Sequence, residues 1–197
     1  MTYDIIISRY NEDIQWTHYI DEKWKIYLYN KGNDINDLSY IKKENCGRES
    51  ETYISHIIEN YENLADYNCF CQGHPFDHSP DFLFEIKNFI AHDHFYAFDN
   101  PNGVYAGKFD GIYLECDVNG APQHCGLQII DFCKKINLNM QTNKKLKFTP
   151  GAQFIINKKN ILKHDKDFYI NLNNILISSE YSKDGPYILE RIWNFIF

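Results

Sequence analysis

The feature that most constrains this chain is an alternation in its first seventy residues. "YDIIISRY" (3–10) is short, β-branched and apolar, and "WKIYLYNKG" (24–32) repeats that character before stopping at Gly32. "NCGRESETYISHIIENYENL" (45–64) places Ile54, Ile57, Ile58 and Tyr61 at i, i+3, i+4 and i+7, the stripe of an amphipathic helix. "DYNCFCQG" (66–73) is again apolar and strand-like. Between the first two strands, Ile14, Trp16, Thr17 and Ile20 fall near helical spacing, with Asn11 or Asp13 available as a cap. Strand, helix, strand, helix, strand is the pattern of a parallel sheet with crossovers. The expected fold is α/β: one domain over 1–197, a mainly parallel sheet, helices on both faces and a small antiparallel insertion.

That reading gives meaning to "CFCQGHPFDHSPDF" (69–82), where a buried strand breaks into His74, Asp77 and His78. Open α/β sheets bind ligands outside the carboxyl ends of their strands, and the cluster falls at such an end. "RYNED" (9–13) ends the first strand at the same edge. "NCGRE" (45–49) opens a helix there, with Asn45 as cap and Glu49 and Glu51 near its positive end; its exposed N–H groups and Arg48 suit an anion.

The rest of the chain is read more coarsely. The stretch 33–46 is polar and loop-like. Ser79-Pro80-Asp81 starts a helix through Phe89. "NPNG" (100–103), "GKFDG" (107–111) and "VNGAP" (118–122) signal turns. Residues 147–162 give a strand and a helix start. The chain closes in a helix after Asp184, with Ile188, Leu189, Ile192, Trp193 and Ile196 as its apolar stripe.

Composition bounds the function. Hydrophobic residues make up 44%, enough for a core, and the formal charge of −7 without a long Lys/Arg run argues against nucleic acid as the main partner. No apolar run reaches the ~18 residues of a membrane helix, and the N-terminus lacks a signal-peptide pattern. Six cysteines without a CxxC pair read as reduced thiols in a cytoplasmic protein; Cys69 and Cys71 face one way and do not bridge.

Several groups carry possible chemistry. The HxxxH spacing of His74 and His78 would suit a metal on a helix, but Pro75 makes the segment a turn, in which Asp77 serves nearby amides. "AHDHF", with His92, Asp93 and His94, would complete a metal site if the two knots met. Glu190, set between Leu189 and Ile192, is either an ordinary helix residue, its neighbour Arg191 pairing with a surface carboxylate, or a carboxylate near an apolar wall able to act as a base. "GVYAGKFDG" fits neither common phosphate-loop spacing, and no GxSxG elbow occurs.

The set "RYNEDIQW", "YNKG", "NCGRESETYISHIIENY", "FCQGHPFDH", "GAQFIINKKNIL…FY" and "GPYILERIWNFIF" resembles a domain family of unknown function from fungi and giant viruses. That family is distantly similar to nucleotide-sugar glycosyltransferases of the type-A fold. The resemblance implies a nucleotide site at Arg9, Tyr10, Asn11, Glu12, Arg48, Gln72 and Gly73. It implies Glu190 as the base of an inverting transfer, and an acceptor side at Gln153 and Trp193. The Asp-x-Asp metal motif of those enzymes is absent; Gln72-Gly73-His74 stands in its place, leaving either His74 and Asp77 as ligands for a divalent metal such as Mn²⁺ on the diphosphate, or Arg9, Arg48 or a lysine to neutralise the diphosphate without metal. The implied partners are a uridine diphosphate sugar and a hydroxyl of a glycan or protein. The competing expectations are a metal-dependent phosphoesterase using His74, Asp77, His78, His92 and His94, and a binding protein that has lost catalysis.

Overall fold

The computed structural model describes residues 1–36, 38–98, 114–121, 124–141, 145–148 and 150–197. The turns expected at 100–103 and 107–111, and the glycine-rich "GVYAGKFDG", lie outside the described residues, as does the end of "VNGAP".

The main sheet is built from β1 (Tyr3–Arg9), β2 (Trp24–Asn30), β3 (Ile41–Lys42), β4 (Tyr67–Gln72), β5 (Tyr96–Ala97) and β8 (Phe154–Asn157), in the order β3-β2-β1-β4-β8-β5. β1 pairs in parallel with both β2 and β4, and β2 with β3; β8 runs antiparallel to β4 and to β5. A separate antiparallel pair joins β6 (Leu114–Cys116) to β7 (Leu146–Phe148). The sheet is thus mixed but mostly parallel.

β1 reads as an unbroken apolar run because both of its faces are covered. Ile5 and Ile7 turn to one side, with Trp16, Trp24, Cys69, Cys71 and Phe82. Ile6 turns to the other, with Tyr53, Ile54, Ile57 and Phe70. Helix α1 (Arg48–Asn60), α5 (Lys166–Leu176) and α6 (Gly185–Ile196) cover that second face, and α2 (Phe82–Asn88) covers the first. Two short helices, α3 (Ile129–Lys135) and α4 (Lys158–Ile161), complete the described elements longer than one turn. The expectation of helices on both faces therefore holds. No helix among the described residues is long and apolar enough to cross a membrane.

Local details depart from expectation. The segment after β1 is a 3₁₀ turn, Gln15–Tyr19, rather than an α-helix; Asp13 accepts the Gln15 N–H at 2.9 Å, but Ile14 holds the cap position. α1 begins after Gly47, not Asn45. The polar stretch 33–46 contains the two residues of β3. α5 was not anticipated; Asp165 caps it by accepting the Phe168 N–H at 2.8 Å, and Tyr169, Leu172 and Leu176 are its buried stripe.

His56 lies fully buried on α1, its Nδ1 2.9 Å from the Tyr29 hydroxyl. Burial, with the nearby charges of Lys25 and Lys43, lowers its pKa to about 3. The ring is therefore neutral in the folded state while the unfolded chain binds a proton near pH 6.5. Stability that is complete above pH 6.5 should fall as pH drops from there toward 3. Unfolding free energies from urea titrations across pH 7 to 4 should decline by up to about 1.4 kcal/mol per pH unit more in the parent than in His56→Gln. Parallel declines would show that His56 does not carry the effect.

Candidate functional site

The chain passes from β1 to β2 on one side and then crosses by α1 to β4 on the other. The order β3-β2-β1-β4 makes the gap between β1 and β4 the point where the winding reverses, which is where ligands enter such sheets. A crevice of ≈ 420 Å³ opens at this point. Its wall comes from Ser8, Arg9, Tyr10 and Glu12 after β1, Lys31 after β2, Asn45, Arg48 and Glu49 at the start of α1, and Gln72 at the end of β4.

Two loops at the rim are knitted by Arg9. Its Nε donates to the Glu12 carbonyl at 2.9 Å, and its Nη1 to the carbonyls of Tyr10 and Asn33 and to Asn30 Oδ1, at 3.1, 2.9 and 2.7 Å. Glu12 Oε2 accepts the Tyr10 N–H at 2.6 Å, and Asn11 Oδ1 accepts the Asn33 N–H at 2.9 Å. Gly32 is required here, because a β-carbon would stand 1.5 Å from the Tyr10 oxygen. Arg9 and Asn11 thus shape the rim, and Asn11 is not part of the crevice wall. Gly73 is buried, and its carbonyl accepts the Trp16 indole N–H at 2.8 Å.

Arg48 differs from Arg9. Among the described residues its guanidinium makes no ion pair; it lies over the Tyr187 ring at 4.7 Å. Tyr187 also stacks on His124, ring centroids 3.8 Å apart. Gly47 and Arg48 both have left-handed backbones, φ 58° and 50°. A β-carbon at Gly47 would meet Glu51 Cβ at 2.6 Å, so the turn needs glycine at that point.

Glu49 is the residue that sequence reasoning passed over as a helix-dipole carboxylate. It is half-buried and lines the crevice, through which solvent reaches it. Burial, reinforced by the negative charge of Glu190, raises its pKa to about 7, against smaller lowering effects from its own N–H, Arg48 and Lys31. A carboxyl poised near neutrality in a cleft is a candidate proton acceptor. The available signal was its position: a carboxylate at a helix start, at the ligand edge, next to an arginine.

Glu190 sits in α6 near this group but is engaged elsewhere. Its Oε1 accepts the Gly151 N–H at 2.7 Å, and its Oε2 pairs with the buried Arg191 at 3.0 Å. It does not line the crevice wall. The two residues expected on the acceptor side are both buried. Gln153 donates to the Pro75 carbonyl at 3.0 Å and Ser79 Oγ at 2.9 Å; Trp193 packs within the core, 2% exposed. Neither is placed to touch an acceptor.

Residues 75–77 form a 3₁₀ turn with Pro75 first, as the proline implied. His74 and Asp77 face one another at 3.4 Å on the surface, and His78 lies against Gly151. The His92–His94 knot sits at the opposite edge: Asn157, paired with the first residue of β4, reaches Asp93 at 3.3 Å. The two knots are separated by the length of β4, ~20 Å at strand rise. Among the described residues no three His, Cys, Asp or Glu side chains gather as a metal site. His74 and Asp77 alone do not make up a metal's ligand set.

The geometry defines an α/β protein with a crevice at a topological switch point. A family model described as a protein of unknown function (DUF3431) matches residues 5–102, just under half the chain, so the chain is similar to that family over β1 to β5. The C-terminal "GAQF" and "ERIW" motifs lie beyond the match. No curated protein and no solved structure matches the chain.

Proposed function

We propose that the protein transfers a sugar from a nucleotide sugar, a uridine diphosphate sugar, to a hydroxyl of a glycan or protein, inverting the anomeric carbon. The observation that carries this reading is the joint placement of Glu49 and Arg48 at the switch-point crevice. One group accepts a proton near neutral pH, and the other offers a guanidinium that makes no ion pair among the described residues.

In the step, the acceptor O–H gives its proton to the Glu49 carboxylate. The oxygen attacks the anomeric carbon, and the bond from that carbon to the diphosphate oxygen breaks. Negative charge grows on the leaving diphosphate, where Arg48 and the start of α1 oppose it. Glu190 raises the basicity of Glu49 through its charge, so the base moves from Glu190, where the resemblance put it, to Glu49. The step is derived without a metal, because His74 and Asp77 supply only two exposed donors outside the crevice wall. The histidine knots stand at opposite ends of β4, which argues against a phosphoesterase that needs all five residues around one metal.

The test is thermal unfolding with uridine diphosphate, with and without Mn²⁺. A ligand at a hundredfold excess over its Kd adds about 2.7 kcal/mol of stability. Arg48→Ala should weaken this binding about 10- to 100-fold, the range for charge-assisted hydrogen bonds. A shift with Mn²⁺ alone, and none with the nucleotide, would overturn the reading.

A further inference from the structure

Lys31 lines the crevice, yet its side chain is only 3% exposed. Its Nζ donates to the Cys46 carbonyl at 2.7 Å and the Arg48 carbonyl at 2.5 Å, and pairs with Glu51 Oε2 at 2.7 Å. Two of the three ammonium hydrogens are thus committed to backbone carbonyls, and the charge is met by the Glu51 carboxylate. Glu51 is fixed in turn by the Ser55 hydroxyl at 2.5 Å, with Lys43 at 3.8 Å. The segment tied by Lys31 is the left-handed one, Gly47 and Arg48. A residue with a β-carbon holds that conformation only where its surroundings compel it. The carbonyl of Arg48 is one of the two that Lys31 grips.

We propose that Lys31, braced by Glu51, is the positioning residue of the crevice: it holds Arg48 in its left-handed backbone so that the guanidinium faces the place of the diphosphate. This rests on the proposed function for the identity of the ligand, but not for the conformation of the turn. Lys31 does not bind the ligand itself, since its ammonium is buried against two backbone carbonyls and the Glu51 carboxylate. It acts through Arg48.

Replacing Lys31 alone would strand the Glu51 carboxylate in a buried place, so the pair is replaced together by Lys31→Met and Glu51→Met. Two measurements follow. Amide hydrogen exchange at residues 47–50 should speed up about tenfold or more in the paired variant, with β1 and β4 unchanged as a control for folding. Titration with uridine diphosphate should show about tenfold weaker binding, and this loss should vanish when Arg48→Ala is already present. Unchanged exchange, or losses that simply add to that of Arg48→Ala, would overturn the inference. If the parent protein or Arg48→Ala shows that the nucleotide does not bind through Arg48, the proposed function fails, and the exchange measurement alone decides the role of Lys31. Lys31→Gln combined with Glu51→Gln, which leaves no charge buried without its partner, serves the same two measurements if the first paired variant does not fold.

Discussion

Glu49→Gln should lower sugar transfer by at least about a hundredfold while leaving nucleotide binding nearly unchanged, the low end of what a general base contributes. The substitution keeps the shape and removes the proton acceptor. In the parent, kcat/KM should rise with pH and level off above about 7, where the Glu49 carboxyl ionises. Glu190→Gln removes a negative charge that raises that value, so the acid limb should move to lower pH with transfer retained. A second readout needs no substrate. The folded state holds the Glu49 proton more firmly than the unfolded chain, so stability is present below the ordinary carboxylate range and is lost as pH rises through about 7. Glu49→Gln should therefore unfold at a higher temperature than the parent at pH 8. A parent-like rate in the Gln variant, or an acid limb at the usual carboxylate position, would return the base to Glu190 or remove the transferase reading.

The crevice was legible in the sequence because its frame is written in local patterns. The isoleucines of β1, the apolar period of α1 and the run of β4 each follow from burial on known faces, and their alternation alone puts 9–12, 45–49 and 72 at one edge. What each side chain does there was not legible, because that depends on contacts far apart in sequence. Arg9 and Arg48 look alike as residues. Asn30 and Asn33 occupy the first, while Tyr187, 139 positions along the chain, meets the second. Glu49 reads as an ordinary first-turn carboxylate until α6 brings Glu190 near it. α5 could have been found from Asp165 followed by Tyr169, Leu172 and Leu176, but Asn171, Asn173 and Asn174 weaken its helical signal. The histidine knots drew attention by composition, and only the register of β4 against β8 shows that they lie at opposite ends of a strand.

Trp193→Ala should cost about 3–5 kcal/mol of stability, the range for removing a buried aromatic side chain, and lower the melting temperature by roughly 10 °C or more for a chain of this length. Trp193 is wedged among Phe154, Tyr53 and Phe197, with ring centroids 5.6, 6.2 and 5.7 Å away, and the Phe197 ring is stacked almost parallel to it. Its loss opens a cavity between α6 and the sheet that these rings cannot close without giving up contact with one another. An acceptor-side role would predict the reverse pattern: a melting temperature near that of the parent and a raised KM for the acceptor. Thermal unfolding of the alanine variant separates the two, and an unchanged melting temperature would contradict the core assignment. Trp193→Phe sharpens the comparison. The indole N–H has no hydrogen-bond partner among the described residues, so phenylalanine gives up no hydrogen bond and fills most of the space. It should therefore retain most of the stability lost in the alanine variant, as a packing role requires and an acceptor-binding indole would not.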